Sequence, residues 1–232
     1  MKNNRNDAEL PISSFALVDP SYAAFMKNFK SFAILLAFPL LLNLMGSDPK
    51  GGPVNGPFLD RPLESAQDIL IFLGILVIVG LVFLFVSLRI GIMLTKLELE
   101  AAKGKVVSVS ELWESTKERF WPFVGLCVVL GLYIAAGLML FIVPGVILIR
   151  RFIFAPFIFL ENKNMTINAA LKKSADMSRE YSGYIWGVLG VTFLFYLSGL
   201  TPVIGTLLSF ALVSMYSIAL PLRYLEIKKL LK

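Results

Sequence analysis

The sequence predicts an all-α integral membrane protein: six transmembrane helices arranged as three hairpins, with short amphipathic helices lying along the cytoplasmic interface. Three observations carry this. The chain is 57% hydrophobic and 16% charged, with a mean hydropathy of +0.76, whereas soluble domains run nearer about 25% charged. Ile69–Leu88, Phe120–Ile149 and Tyr181–Leu222 carry no charge at all, and a helix needs only about 20 apolar residues to span the hydrocarbon. Short stretches of helical periodicity with one polar face stand directly before three of the apolar runs.

The N-terminal residues, 1–20, read as a cytoplasmic arm ahead of a single membrane domain, 21–232. Asp7 and Glu9 stand where a cleavable signal would be basic, so the first span is expected to serve as its own insertion signal. Asp19-Pro20 can cap a helix that puts Tyr22, Phe25, Met26 and Phe29 on one side. The first span follows, residues 31–45, kinked or thinned at Pro39. Four glycines and four prolines make "GSDPKGGPVNGPFLDRPLES", residues 46–65, a loop without a core of its own.

The second span is placed at residues 69–94. Ser108 and Glu111 then have capping-box spacing, and Val109, Leu112, Trp113, Thr116 and Phe120 fall on one helical face. The third span, 121–142, and the fourth, 146–160, are joined at Pro144-Gly145, the expected helix turn. "TINAALKKSADMSREY" aligns Ile167, Ala170, Leu171, Ser174, Ser178 and Tyr181 as a third amphipathic stretch. The fifth and sixth spans, 183–199 and 203–222, are separated by "LTP".

A weak internal repeat follows. Each inward-starting span is preceded by an amphipathic elbow ending in a spaced aromatic pair: Phe29/Phe32, Phe120/Phe123 and Tyr181/Tyr184. Such elbows can lie in the interface before turning into the membrane, with Trp113, Trp121 and Trp186 as interfacial anchors.

Of the 22 Lys and Arg residues, only Lys50 and Arg61 fall on the side of the 46–65 loop. The other side takes the rest, which places both termini in the cytoplasm. The net charge of +6 is therefore topology and attraction to anionic headgroups, and no nucleic-acid partner is expected. The chain has no histidine and one cysteine, Cys127. That excludes Ser-His-Asp triads, HExxH zinc sites, His-ligated haem and an internal disulfide; no metal, cofactor or catalytic residue is expected.

The arginines differ in depth. Arg89 and Arg223 lie about 30 Å along their helices from the outer boundary, so both are expected to snorkel to the cytoplasmic interface. Arg151 is placed about 10–15 Å from either face, and no apolar window contains a carboxylate. Two readings stand. In one, the fourth helix is short, the bilayer thins, and Arg150 and Arg151 snorkel outward, since an arginine at a helix centre costs only about 2.5–3.5 kcal/mol on insertion scales. In the other, Arg151 lines a polar cavity and receives a phosphate or carboxylate bidentately. Its other candidate partners are carbonyls freed by Pro156 and the hydroxyls of Ser198, Thr206, Ser209 and Ser214.

"PGVILIRRFIFAPFIFLEN", then "INAALKKSADMS" and an aromatic-led span with Trp186, resemble the YciC-like bacterial inner-membrane proteins and the membrane domain attached to some glycerophosphodiester phosphodiesterases. The shared pattern, PGxxLxxR with later Glu, Ala, Ser and Trp, falls on Pro144, Gly145, Leu148, Arg151, Glu161, Ala170, Ser174 and Trp186. Specific resemblance covers residues 144–186; the glycine usual between the Ser and the Trp is displaced, to Gly183, and the phosphodiesterase half is absent. The resemblance implies six spans, a bacterial inner membrane and lipid-related work.

The expectation is a non-catalytic polytopic protein that binds lipids or a partner in envelope or membrane homeostasis, with Arg151, Arg150, Glu161 and Ser174 as candidate anion or lipid contacts. A protein partner or a homo-oligomer is compatible with it. The alternative is a subunit of a membrane transporter or channel for an anionic or lipid substrate. An enzyme acting on lipids is disfavoured, because no constellation of Ser, Tyr, Lys or Asp stands out.

Overall fold

The computed structural model describes residues 12–46, 66–200 and 204–231. The expected outer loop (its residues 47–65) and the separator 201–203 lie outside them. The described residues are 87% helical, with no strands among them. Five helical segments are long and apolar enough to cross a membrane, and a sixth arises if the pair Phe15–Lys27 and Phe29–Leu41, bent by 93°, counts as one span. This is the build of a multi-pass membrane protein.

Three repeats of one unit organise the chain: an elbow helix, an outgoing helix and a return helix. The first unit is α1 (Val18–Lys27), α2 (Phe29–Gly46) and α3 (Ala66–Ala102). The second is α4 (Val109–Lys117), α5 (Phe120–Leu140) and a broken return, α6 (Ile142–Phe152) plus α7 (Ala155–Glu161). The third is α8 (Ile167–Glu180), α9 (Ser182–Leu197) and another broken return, α10 (Ile204–Tyr216) plus α11 (Ala219–Leu230).

The elbows share a signature more regular than the aromatic pairs. α4 and α8 open on a hydroxyl that accepts the backbone N–H three residues on, Ser108 from Glu111 and Thr166 from Ala169, both at 3.3 Å; Ser13 accepts likewise from Ala16 at 3.2 Å, ahead of the 3-10 turn Phe15–Leu17 that leads into α1. That satisfies one of the orphan donors of a helix start. One turn later comes a buried apolar residue, Leu17, Leu112 or Ala170, and two turns later a buried hydroxyl, Ser21, Thr116 or Ser174. These positions form one stripe per elbow, the stripe that packs on the return helices. Around Ser108 both arms of the capping box are made. Asp19, by contrast, lies in the first turn of α1, which begins at Val18. Of residues 12–20, Leu17 alone is buried, against Val188, Val191 and Tyr216.

The core sits at the elbow end of the molecule. α3 packs on α7 and α11, and Tyr224 of α11 meets the rings of Phe154 and Phe157 at 5.9 and 6.4 Å. Leu97, Leu99, Ile158 and Ile227 are wholly buried there. Away from that end the helices separate: the most apolar stretch of α3 has none of its residues buried. Tyr22 and Met26 on α1 and Phe29 at the start of α2 are exposed, apolar side chains turned away from the protein.

The α5–α6 turn is tighter than expected. Phe141, in extended conformation, is the whole connection, and Pro144 and Gly145 lie in the first turn of α6. Proline is tolerated there because that N–H has no helical acceptor. Gly145 is needed because a Cβ would lie 2.9 Å from the backbone nitrogen of Leu138, and one on Gly137 would lie 3.0 Å from the Gly145 Cα.

The elbow stripe supports a direct test. Leu112 is fully buried, whereas the Glu114 side chain is 70% exposed. Leu112→Asp puts an unpaired charge into the core and is expected to lower the melting temperature in detergent by 10 °C or more (~3 kcal/mol). Glu114→Lys should change it by no more than about 2 °C.

Candidate functional site

The paired arginines that interrupt the fourth apolar run occupy the last turn of α6. A cation there opposes the negative end of the helix dipole, which is one reason the sequence tolerates them. The helix stops at Phe152 and α7 starts only at Ala155, so the carbonyl of Arg151 lies in the last turn of α6, where donors come from outside the helix. Ser174 and Ser178 of α8 supply them, donating at 3.0 and 3.1 Å. Ser174 also accepts the Phe154 N–H at 3.2 Å. The break in the return helix is thus held from both sides by one buried hydroxyl.

The Arg151 side chain is exposed, and among the described residues it has no hydrogen bond or ion pair. It lines a cavity of about 500 Å³ between α5, α6 and α8. Lys172 and Asn168 contribute further donors, Asp176 a carboxylate, and Tyr133, Leu148, Phe152 and Leu171 an apolar wall. Two cations face one anion, beside a surface suited to hydrocarbon. Chemically this can hold a phosphate or carboxylate at the polar end and an aliphatic chain along the wall. Arg150 points elsewhere, as about 100° of helical rotation requires; it is half-buried and its Nε has no acceptor among the described residues.

The candidate contacts therefore do not converge. Ser174 serves the backbone. Glu161, at the end of α7, accepts from the Tyr224 hydroxyl at 2.5 Å and from Lys228 at 2.7 Å, with Lys103 at 3.4 Å. Lys103 in turn pairs with Glu100, which Lys96 and Lys105 also approach at 3.2 Å. This network knits the three return helices together. Trp113, Trp121 and Trp186 are 45%, 72% and 40% exposed, and none of them lines the Arg151 cavity.

Two expectations are corrected. Arg89 and Arg223 do not extend to solvent: they are 6% and 0% exposed. Arg89 donates to the Trp113 carbonyl at 2.8 Å and lies 4.0 Å from the indole centroid. Arg223 donates to the Ile12 carbonyl and to Glu226, both at 2.7 Å. The depth argument measured distance along each helix. It had no means of placing the next elbow, which lies across the helix end and covers the guanidinium. Arg151, for which two placements stood, has an exposed side chain that lines the cavity between α5, α6 and α8.

The sequence reading missed Arg119, at the turn between α4 and α5. It donates to the carbonyls of Asn162 (2.9 Å) and Lys163 and lies 4.1 Å over the Phe159 ring. Asn28 holds the equivalent place in the first unit, donating to the Lys105 carbonyl and accepting the Val107 N–H, each at 3.0 Å. A signal was present: each is a polar residue directly before the first aromatic of its pair.

No protein-family model, curated protein or solved structure matches the chain.

Proposed function

We propose that the protein is a non-catalytic membrane module whose Arg151 cavity receives the headgroup of an anionic lipid, in the service of envelope or membrane homeostasis. One observation carries this reading: a guanidinium without a protein partner, in an amphipathic cavity that also offers Lys172 and Asn168. Arginine's planar fork suits bidentate phosphate recognition. Arg89 and Arg223, on the other two return helices, are engaged by the protein's own oxygens, and the neighbouring Arg150 does not line this cavity. The resemblance over residues 144–186 points the same way, toward lipid-related work in a bacterial inner membrane. The wild-type protein, extracted in mild detergent and examined by native mass spectrometry, should retain phosphatidylglycerol in preference to phosphatidylcholine. Equal retention of the two would remove the reading, and a lipid-free protein that conducts anions in vesicles would favour a transporter or channel subunit.

The membrane arrangement that goes with it has six spans in three hairpins, with both termini and all three elbows cytoplasmic. Its support is the placement of two of the 22 Lys and Arg residues on one side and the exposed apolar side chains of Tyr22 and Met26 on α1. In a Cys127→Ala background, cysteines at positions 105 and 173 should be shielded from an impermeant maleimide in intact cells, while one at position 55 reacts. Labelling at 105 from outside would invert or break the arrangement.

A further inference from the structure

The three units close into a ring, and its three seams can be compared residue by residue. Each seam joins the return helix of one unit to the elbow of the next. In the first, Arg89 is held by the Trp113 carbonyl and indole. In the second, the Arg151 guanidinium is open. The third runs from the end of the fold back to its beginning, and there Arg223 is covered by residues 12–17.

That covering is short and lightly held. Ile12 gives Arg223 a carbonyl, Ser14 accepts the Tyr216 hydroxyl at 2.7 Å, and the Ser14 hydroxyl reaches the Tyr184 carbonyl only at 3.5 Å. Leu17 is seated in a small cluster with Val188, Val191 and Tyr216. The Nε of Arg223 is buried without an acceptor among the described residues. Side-on recognition of a carboxylate or phosphate uses two parallel N–H bonds from the guanidinium. Here the Glu226 carboxylate pairs with Nη1, the neutral Ile12 carbonyl takes Nη2, and Nε goes unused. Against the same segment lies a cavity of about 560 Å³, lined by Leu17, Leu222 and Leu225 together with Lys103, Lys228 and Lys229 and one carboxylate, Glu226. Its chemistry is that of the Arg151 cavity: an apolar wall and an excess of cations.

We propose that Arg223 is the anchor of a second anionic-lipid site, occupied from within the chain by residues 12–17. The Ile12 carbonyl stands where a phosphate oxygen would sit. Withdrawal of the segment frees the terminal nitrogen to join Nε in holding the headgroup, and the adjoining cavity takes an acyl chain. The proposal rests on the reading of Arg151 as an anion seat for its analogy, and its test is separable from that reading.

The experiment uses full-length chains in an Arg151→Ala background and counts retained phosphatidylglycerol by native mass spectrometry. Leu17→Asp and, independently, Gly187→Leu displace the segment; a Cβ at Gly187 would already lie 2.3 Å from the Ser14 hydroxyl oxygen. Either change should add one phosphatidylglycerol per chain over Arg151→Ala alone, and adding Arg223→Gln should remove it. No gain, or a gain that survives Arg223→Gln, overturns the proposal. Loss of the fold in both displaced variants also overturns it, because residues 12–17 would then be core and not a covering. If Arg151→Ala alone leaves lipid retention at the wild-type value, the Arg151 reading fails, while the Arg223-dependent gain still decides this one.

Discussion

Gly145→Val is expected to disrupt the α5–α6 hairpin, lowering stability by about 3 kcal/mol or more, at the upper end of what overpacking costs. The reason lies in what the new atoms would meet. A Cβ at Gly145 falls 2.4 Å from a Leu138 methyl, which a rotamer change could relieve, but also 2.9 Å from the Leu138 backbone nitrogen, which cannot move without unwinding α5. The connection is a single extended residue, Phe141, so no slack exists to let the two helices part. Gly131→Ala is the control: nothing lies within 4 Å of its Cβ, and the melting temperature in detergent should be unchanged or slightly raised. A valine at 145 that melts with the wild type would mean that the hairpin is looser than described.

The second large effect concerns Arg151. If its guanidinium binds a headgroup phosphate side-on, Arg151→Ala should lower phosphatidylglycerol retention on the order of 10- to 100-fold, the equivalent of one charge-assisted hydrogen-bonded contact. Arg151→Lys should lose nearly as much, because a compact ammonium cannot reproduce the planar fork. Arg150→Lys should be mild. The thermal stability of all three should stay near that of the wild type, since the Arg151 side chain has no partner among the described residues and its structural duty is discharged by its carbonyl. Full retention in Arg151→Lys would leave only a diffuse electrostatic attraction and end the claim of a seat.

Much of this architecture was legible in the residue order, and the parts that were not share one cause. Apolar windows and breakers identified the long helices because the period and length of a span are local properties. The capping box at Ser108 was readable for the same reason. The positions of Arg89, Arg151 and Arg223 were not, because what decides them is the elbow of a different unit crossing the helix end. A depth estimate along one axis contains no information about a neighbour. The repeat shows the same boundary. Its aromatic pairs were noticed, being large and conspicuous, while the hydroxyl–aliphatic–hydroxyl stripe through Ser13, Leu17 and Ser21 passed unread. Small residues look interchangeable until their burial is known. Glu161 and Ser174 were read as anion or lipid contacts from their place in the sequence; their bonds to Tyr224 and Lys228 and across the break in α6–α7 depend on elements far away in the chain.

The uneven distribution of burial also sets how the molecule responds to its solvent. One end is a hub, tied by Glu161, Tyr224, Lys228 and Lys103; the apolar half of α3 leaves it as a spoke with no buried residue, met by the rings of Phe38 and Phe120. A spoke so lightly covered is positioned largely by the acyl chains around it. Its tilt therefore follows the thickness and lateral pressure of the bilayer at little cost, while the hub, where the fold's stability resides, does not feel the change.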